Sequence, residues 1–453
     1  MNTTKNIDRI IIAAGFFIFF AIGFYCACHL GMNHAPDEYM RYDLCEYIYT
    51  HNKLPIGNEP ELIDNIWGFS YAFTPYLIQC LSVVFMKLAS LFSTEPATLL
   101  IAARIPSVLA YALGFVFVYR IGCELLSDRL KSILLACMIF GIPQVYFLAG
   151  YINNDIVILT QCCALVLIWI RGYKYTWTTS RCILLGITVG ITMLTYYNAY
   201  VYILLSAVVF IWCMFAKEKV SFREFAKKAG IAVGVALLIS AWYFIRNLII
   251  YDGDLLGLNA QRICAEIHAG AQRPQVINGP SSGLTPFAYF WGSGLFSENN
   301  WFKTTTKSLL GIFGYMNYPI AGWMYKFYIA VMVAGIACFL YFFFFKYKEA
   351  KKHKCMMAVI IIASLGLTWI LSLYYSWSSD YQAQGRYVIT SLIPIFLCAS
   401  VGYRYVVDRF STTAIKRKIA IALEIAFGLI YIAVSTHAIL YYLIPSCFLD
   451  LPI

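Results

Sequence analysis

The chain has 453 residues and a mean hydropathy of +0.70; 61% of its residues are hydrophobic and only 13% charged. A soluble domain of this composition could not cover its exterior with polar groups, so that class is excluded. The net charge of +11 could suit nucleic acid, but the basic residues fall in short runs between apolar segments, which is a membrane-topology pattern, and no nucleic-acid partner is expected.

In chain order, MNTTKNIDRI carries Lys5 and Arg9 ahead of an apolar run reaching about Leu30. That run is long for a signal-peptide core and no small-residue cleavage site follows, so it reads as an uncleaved first span with a cytoplasmic N-terminus. Eleven segments read as helical spans: 9–30, 98–121, 132–150, 155–171, 182–197, 199–215, 229–250, 324–345, 355–376, 387–403 and 419–443. Their length favours helices over barrel strands of about ten residues. The chain therefore reads as an all-α polytopic membrane protein, a single transmembrane domain over 1–453 with no tandem repeat.

The run 68–93 decides the topology. If it does not cross, the N-terminus and the short loops on the cytoplasmic side together hold 23 of the 34 Lys and Arg. If it crosses once, KYKEAKKHK and the later basic clusters face outward, against the positive-inside bias. With Trp67, Tyr71, Pro75 and Tyr76 it reads as an interfacial or re-entrant segment, a plain extra span being the alternative. Two large outer loops result, 31–97 and 251–323. The second holds Gly, Pro, Ser and Asn with many aromatics, a composition of ordered loop with short helices rather than of disorder.

The first loop begins MNHAPDEYMRYDLCEYIYTHNKLP. From Glu38 onward Met40, Leu44 and Tyr47/Ile48 fall at helical spacing, giving an amphipathic helix along the membrane. Asp37 stands where that helix would be capped; it is either the cap or, with Glu38 nearby, a general base at the bilayer surface. The stretch GYINNDIVIL puts Asp155 at the outer end of a span, as a second acid or as a cap. Arg246 in AWYFIRNLIIYDGD and Arg386 in SSDYQAQGRYVIT lie at outer span ends among aromatics. Each suits bidentate phosphate binding or snorkelling to lipid headgroups. Arg262 and Lys303 in the second outer loop are weaker phosphate candidates. The fifteen cysteines lie mostly in apolar runs and show no metal-ligand spacing.

Carboxylates and arginines on one face, at headgroup level, suit a substrate with a lipid tail and a phosphate. The arginines would hold the departing phosphate while a carboxylate deprotonates an acceptor, the chemistry of glycosyl transfer. A transporter or flippase for a lipid-linked or anionic solute is the alternative and would place such groups near the bilayer midplane.

Four stretches, APDEYMRYDLCEYIYTHNKLP, AARIPSVLAYALGFVFVYRIGCELL, GYINNDIVIL, and AWYFIRNLIIYDGD followed by QGRYVITSLIPI, make the chain resemble the GT-C superfamily of integral-membrane glycosyltransferases. The likeness is to the protein-mannosyltransferase and aminoarabinose-transferase-like branch, and it runs over residues 8 to 405. The resemblance implies a GT-C-type fold with interfacial helices in the first outer loop. It implies a polyprenyl-phosphate sugar donor and a glycan, lipid or protein acceptor in the cell envelope. The active site would be extracytoplasmic, with Asp37 as base or acceptor-orienting group and Asp155 as the second acid. A divalent cation, Mg or Mn, on Asp37 and Asp155 is a cofactor that the related oligosaccharyltransferases suggest, but one carboxylate in Asn153–Asn154–Asp155 falls short of the two such a site prefers. On this reading no soluble C-terminal domain is expected after the last span, unlike the oligosaccharyltransferases.

Overall fold

The computed structural model describes residues 2–271, 279–292, 300–346 and 352–448. Parts of the 251–323 loop and of the KYKEAKKHK run lie outside the described residues. The regular structure of the described residues is helical, apart from one two-stranded ribbon. In chain order the helices are α1 (Asn2–His29), α2 (Glu38–His51), α3 (Leu77–Ala89), α4 (Pro96–Leu126), α5 (Arg129–Phe140), α6 (Pro143–Ala149), α7 (Asp155–Tyr175), α8 (Thr179–Met193), α9 (Tyr200–Trp212) and α10 (Phe222–Ile250). After α11 (Leu258–His268), α12 (Pro286–Trp291) and α13 (Trp301–Gly311) comes the ribbon of β1 (Ile312–Phe313) and β2 (Tyr318–Pro319). The chain then runs through α14 (Gly322–Lys346), α15 (Lys352–Ser378), α16 (Leu392–Phe410), α17 (Ala414–Ala438) and α18 (Ile444–Cys447).

Local chemistry sets the helix starts. Asp128, Thr178, Ser221, Thr285, Asn300 and Thr413 each accept a hydrogen bond from the backbone N–H three residues on, at the heads of α5, α8, α10, α12, α13 and α17. Pro96 and Pro143 occupy first-turn positions where a missing N–H is harmless.

Among the described residues nine helices are long and apolar enough to cross a membrane, ten if α5 and α6, bent by 70°, count as one span. Eleven spans were expected; the eleventh corresponds to α8, whose 15 residues rise only about 22 Å against a hydrocarbon core of about 30 Å. The 68–93 run holds a 3-10 turn, Tyr71–Phe73, and a single α-helix, α3, 13 residues long, about 20 Å by the same rise.

Two ends of the bundle can be told apart by their contacts. At the far end Arg129 Nε lies 2.6 Å from Asp8, and Glu124 takes Arg171 at 3.0 Å and Lys174 at 2.9 Å. Lys131 lies 3.2 Å from Glu424, a carboxylate that is buried inside α17. At the near end the last turn of α1, the first turn of α7 and the residues before α16 converge. Helix pairs α8–α10, α14–α16, α1–α4 and α4–α7 pack most extensively. A Cβ at Gly186 of α8 would meet the carbonyl of Ala232 on α10, so these two backbones approach as only small residues permit.

The connections at the near end are tied together by hydrogen bonds. The Tyr251 hydroxyl donates to the carbonyl of Ile56 at 2.8 Å, Tyr197 to Leu256, and Gly270 N–H to Ile66 at 3.3 Å. The end of the described chain joins them: Leu30 bridges Phe448, and Gly31 N–H donates to Cys447 at 3.0 Å.

Candidate active site

The near end is organised around a buried ion pair. Arg104, inside α4, donates through Nε and Nη2 to the two oxygens of Glu38 at 2.8 and 2.7 Å. Its Nη1 donates to the carbonyls of Ala27 and Leu30 at 2.7 Å each, satisfying groups that the end of α1 leaves unpaired. Glu38 also accepts the backbone N–H of Ile152 at 3.0 Å. One arginine–glutamate pair thus joins the end of α1, the start of α2, α4 and the turn before α7. Both side chains are fully buried, and neither Glu38 oxygen is free for chemistry. The Glu38 carboxylate neutralises a charge that would otherwise be stranded within a span, a structural task beside the catalytic one expected of it.

Asp37 takes a different direction. Its φ of 61° is left-handed, a conformation that Asp tolerates better than most residues, and its side chain makes no capping hydrogen bond to α2. The carboxylate instead meets Arg386, whose Nη2 donates to Oδ2 at 2.7 Å. Burial works against the Asp37 charge, but Arg386 and Arg41, with a hydrogen bond from Tyr71, outweigh it and hold the carboxyl below the usual carboxylate range. Arg386 reaches Asp37 because Gly385 lies directly on the backbone of Leu309 in α13, where a Cβ would collide.

Asp155 opens α7 and is buried. It does not cap that helix; the Asn153 side-chain oxygen accepts from Ile156 N–H at 3.0 Å. The charges of Arg386, Arg41 and Asp37 all act on Asp155, whose Oδ1 has no hydrogen-bond partner. The structure therefore brings together Asp37, Asp155 and Arg386 from positions up to 349 residues apart.

It adds Arg41, which the sequence reading did not single out as a site residue. Arg41 is buried on α2, its guanidinium 4.2 Å from the centre of the Tyr71 ring, and its Nε is unpartnered. The signal was present: Arg41 falls in register with the buried Leu44 and Ile48, where a charge is unexpected on an apolar face. Arg104 was equally visible as the one charge deep inside the apolar run 98–121. Tyr71, Tyr151, Tyr196 and Tyr387 surround the cluster, and all four feel its charges.

The other cation candidates lie elsewhere. Arg246 donates to the carbonyl of Pro55 and so fixes the first loop to α10. Arg262 pairs with Glu266 one turn along α11, on the surface, at 2.8 Å. Lys303 is exposed on α13. Sequence alone could not exclude these three, because span-end position says nothing about which helix ends meet.

The residues do not fit a divalent cation. Among the described residues no three His, Cys, Asp or Glu side chains gather as a metal site. Asp37 is engaged by Arg386, Asp155 stands as the second carboxylate, and two guanidiniums share the space, so a further positive charge would be repelled. An open cleft of about 450 Å³ at the far end is lined by Asp8, Cys123, Asp128 and Arg129. Its principal cation is already paired with Asp8, and it is remote from this cluster.

No protein-family model and no curated protein sequence matches the chain. Solved structures do. The oligosaccharyltransferase of Archaeoglobus fulgidus in its apo form superposes with a TM-score of 0.56 at 14% identity, covering 94% of this chain and 54% of that one. The oligosaccharyltransferase AglB from the same organism, in complex with an inhibitory peptide and a dolichol-phosphate, gives 0.56 at 13%, covering 95% and 56%. ArnT from Cupriavidus metallidurans bound to undecaprenyl phosphate gives 0.50 at 11%, covering 97% and 73%. The chain spans about half the length of the oligosaccharyltransferases it matches. At these identities the likeness is one of fold: the chain is an all-α polytopic membrane protein with the GT-C-type fold of those transferases.

Proposed function

We propose that the chain is a membrane glycosyltransferase that moves a sugar from a polyprenyl-phosphate donor to a cell-envelope acceptor on the extracytoplasmic side. The observation that carries this reading is the buried cluster of Asp37, Arg386, Arg41 and Asp155, in a fold shared with structures that hold dolichol-phosphate and undecaprenyl phosphate. Two buried guanidiniums with unpartnered Nε groups make a receptor for an anion.

In the proposed reaction the acceptor hydroxyl attacks the anomeric carbon, whose bond to the phosphate oxygen breaks with its electron pair left on the lipid phosphate. Arg41 and Arg386 stabilise that growing charge, and Asp37 takes the acceptor's proton. The Arg386–Asp37 contact makes this order-dependent. While Arg386 holds Asp37, the carboxylate is a weak base; a donor phosphate that draws Arg386 away raises its basicity when substrate is present.

Asp37 just follows α1, Asp155 begins α7 and Arg386 precedes α16, so the cluster lies at span ends, where a transporter's midplane site would not be. The basic loops at the opposite end support an extracytoplasmic site. The test is turnover in nanodiscs with a radiolabelled polyprenyl-phosphate sugar. Asp37→Asn is expected to lower the rate about 10²- to 10⁴-fold with the fold intact, and Arg41→Ala to lower it through weakened donor binding. Turnover at the wild-type rate in both variants would refute the reading.

A further inference from the structure

Next to the two arginines lies a set of groups with the opposite need. Asn154 is fully buried, and its Nδ2 donates to the carbonyl of Thr195 at 2.8 Å, which fixes the amide and leaves Oδ1 without a donor. Gln161, 9% exposed and about 9 Å further along α7 than Asp155, donates through Nε2 to the Thr195 hydroxyl at 2.8 Å. That hydroxyl donates in turn to Ile191, so Gln161 Oε1 is the free carbonyl, and it too has no partner. Asp155 Oδ1 is the third such oxygen. Tyr196, the residue after Thr195, feels the charges of Asp155, Arg386 and Arg41, which places this wall beside the cluster.

Buried oxygens left without donors are costly, and three on one short stretch of a well-packed bundle call for an occupant that brings donors. The arginine Nε groups call for one that brings acceptors. A sugar phosphate brings both. We infer that Asn154, Asp155 and Gln161, braced by Thr195, form the wall that reads the hydroxyls of the transferred sugar. This rests on the transferase reading and adds the sugar's chemical class to it. A wall of acceptors with a carboxylate favours a sugar with free hydroxyls and disfavours a uronate, whose own carboxylate would face Asp155.

The test measures binding to the full chain in nanodiscs of undecaprenyl phosphate, bare and carrying a neutral hexose. The wild type is expected to hold the glycosylated lipid at least ~10-fold tighter. Asn154→Ala and Gln161→Met should lose most of that margin while binding the bare lipid phosphate as before. A second arm needs no variant to fold: on the unaltered chain, replacing single hexose hydroxyls by hydrogen should weaken binding ~10- to 100-fold for at least one position. Equal affinity for bare and glycosylated lipid, an equal loss of both in the variants, or indifference to every deoxy sugar overturns the assignment. Turnover of the hexose donor by the wild type is scored separately. A chain that transfers without reading hydroxyls sinks only this inference, whereas one that reads hydroxyls but never transfers sinks the transferase reading.

Discussion

Asp37 and Glu38 stand side by side at the head of α2, yet Arg104 closes off Glu38 while Asp37, itself left-handed, meets Arg386. The difference predicts different phenotypes. Glu38→Gln removes one partner of a fully buried pair, which should cost about 3–5 kcal/mol of stability, read as a large drop in the melting temperature of the detergent-solubilised protein. Pairing it with Arg104→Met should recover part of the loss; a Glu38→Gln protein as stable as wild type would contradict the structural role. Asp37 has a pKa held below the ordinary value, so its charged form persists as pH falls through the usual carboxylate range near 3.9. The stability from its contact with Arg386 is therefore present above that range and lost only below it. Arg386→Gln removes the nearest counter-charge, so the acid limb of the rate profile should move to higher pH while the plateau falls. An acid limb that stays in place would show that Asp37 is not the titrating base.

Helix α2 shows how far periodicity reads at the scale of an element. The spacing of Met40, Leu44, Tyr47 and Ile48 predicted it, and all four are buried along Glu38–His51. The periodicity marks a buried face without saying what that face touches, which is why Arg41 was passed over. Asp43 on the same helix is pushed up to about 6, by burial first and then by Glu46 and Asp64. A raised carboxyl makes the charged form a burden above about pH 6 that is relieved as pH falls toward the unfolded value. Asp43→Asn should therefore raise the melting temperature at pH 7.5 and have little effect near pH 4; the reverse order would mean that Asp43 has a cationic partner in the membrane-bound protein. The short helices α3 and α8 mark the other limit of pattern reading, since an apolar run tells of burial but its helical length depends on where turns break it.

For the whole molecule the charge distribution is the organising fact. Basic residues gather in the helix ends that flank the α4–α5, α7–α8 and α16–α17 turns and in the segment between α9 and α10, at the end opposite the cluster. If that end is cytoplasmic, a cysteine placed at Glu61 in a cysteine-depleted background should react with an impermeant thiol reagent on intact cells. One at Lys219 or Lys416 should react only after permeabilisation. The opposite pattern would invert the proposed sidedness. Composition and periodicity determined the membrane class, the helices and the charge asymmetry, because each depends on what a residue needs from its solvent. The GT-C-type fold was legible in four short stretches taken together. Which acid pairs with Arg104 and which with Arg386 was decided only by tertiary structure. So was the choice among the basic candidates, with Arg386 and Arg41 in the cluster and Arg246, Arg262 and Lys303 outside it. Those outcomes turn on which helix ends converge within a few ångströms, and electrostatic pairing at that range is decided by the packed backbone rather than by neighbours in sequence.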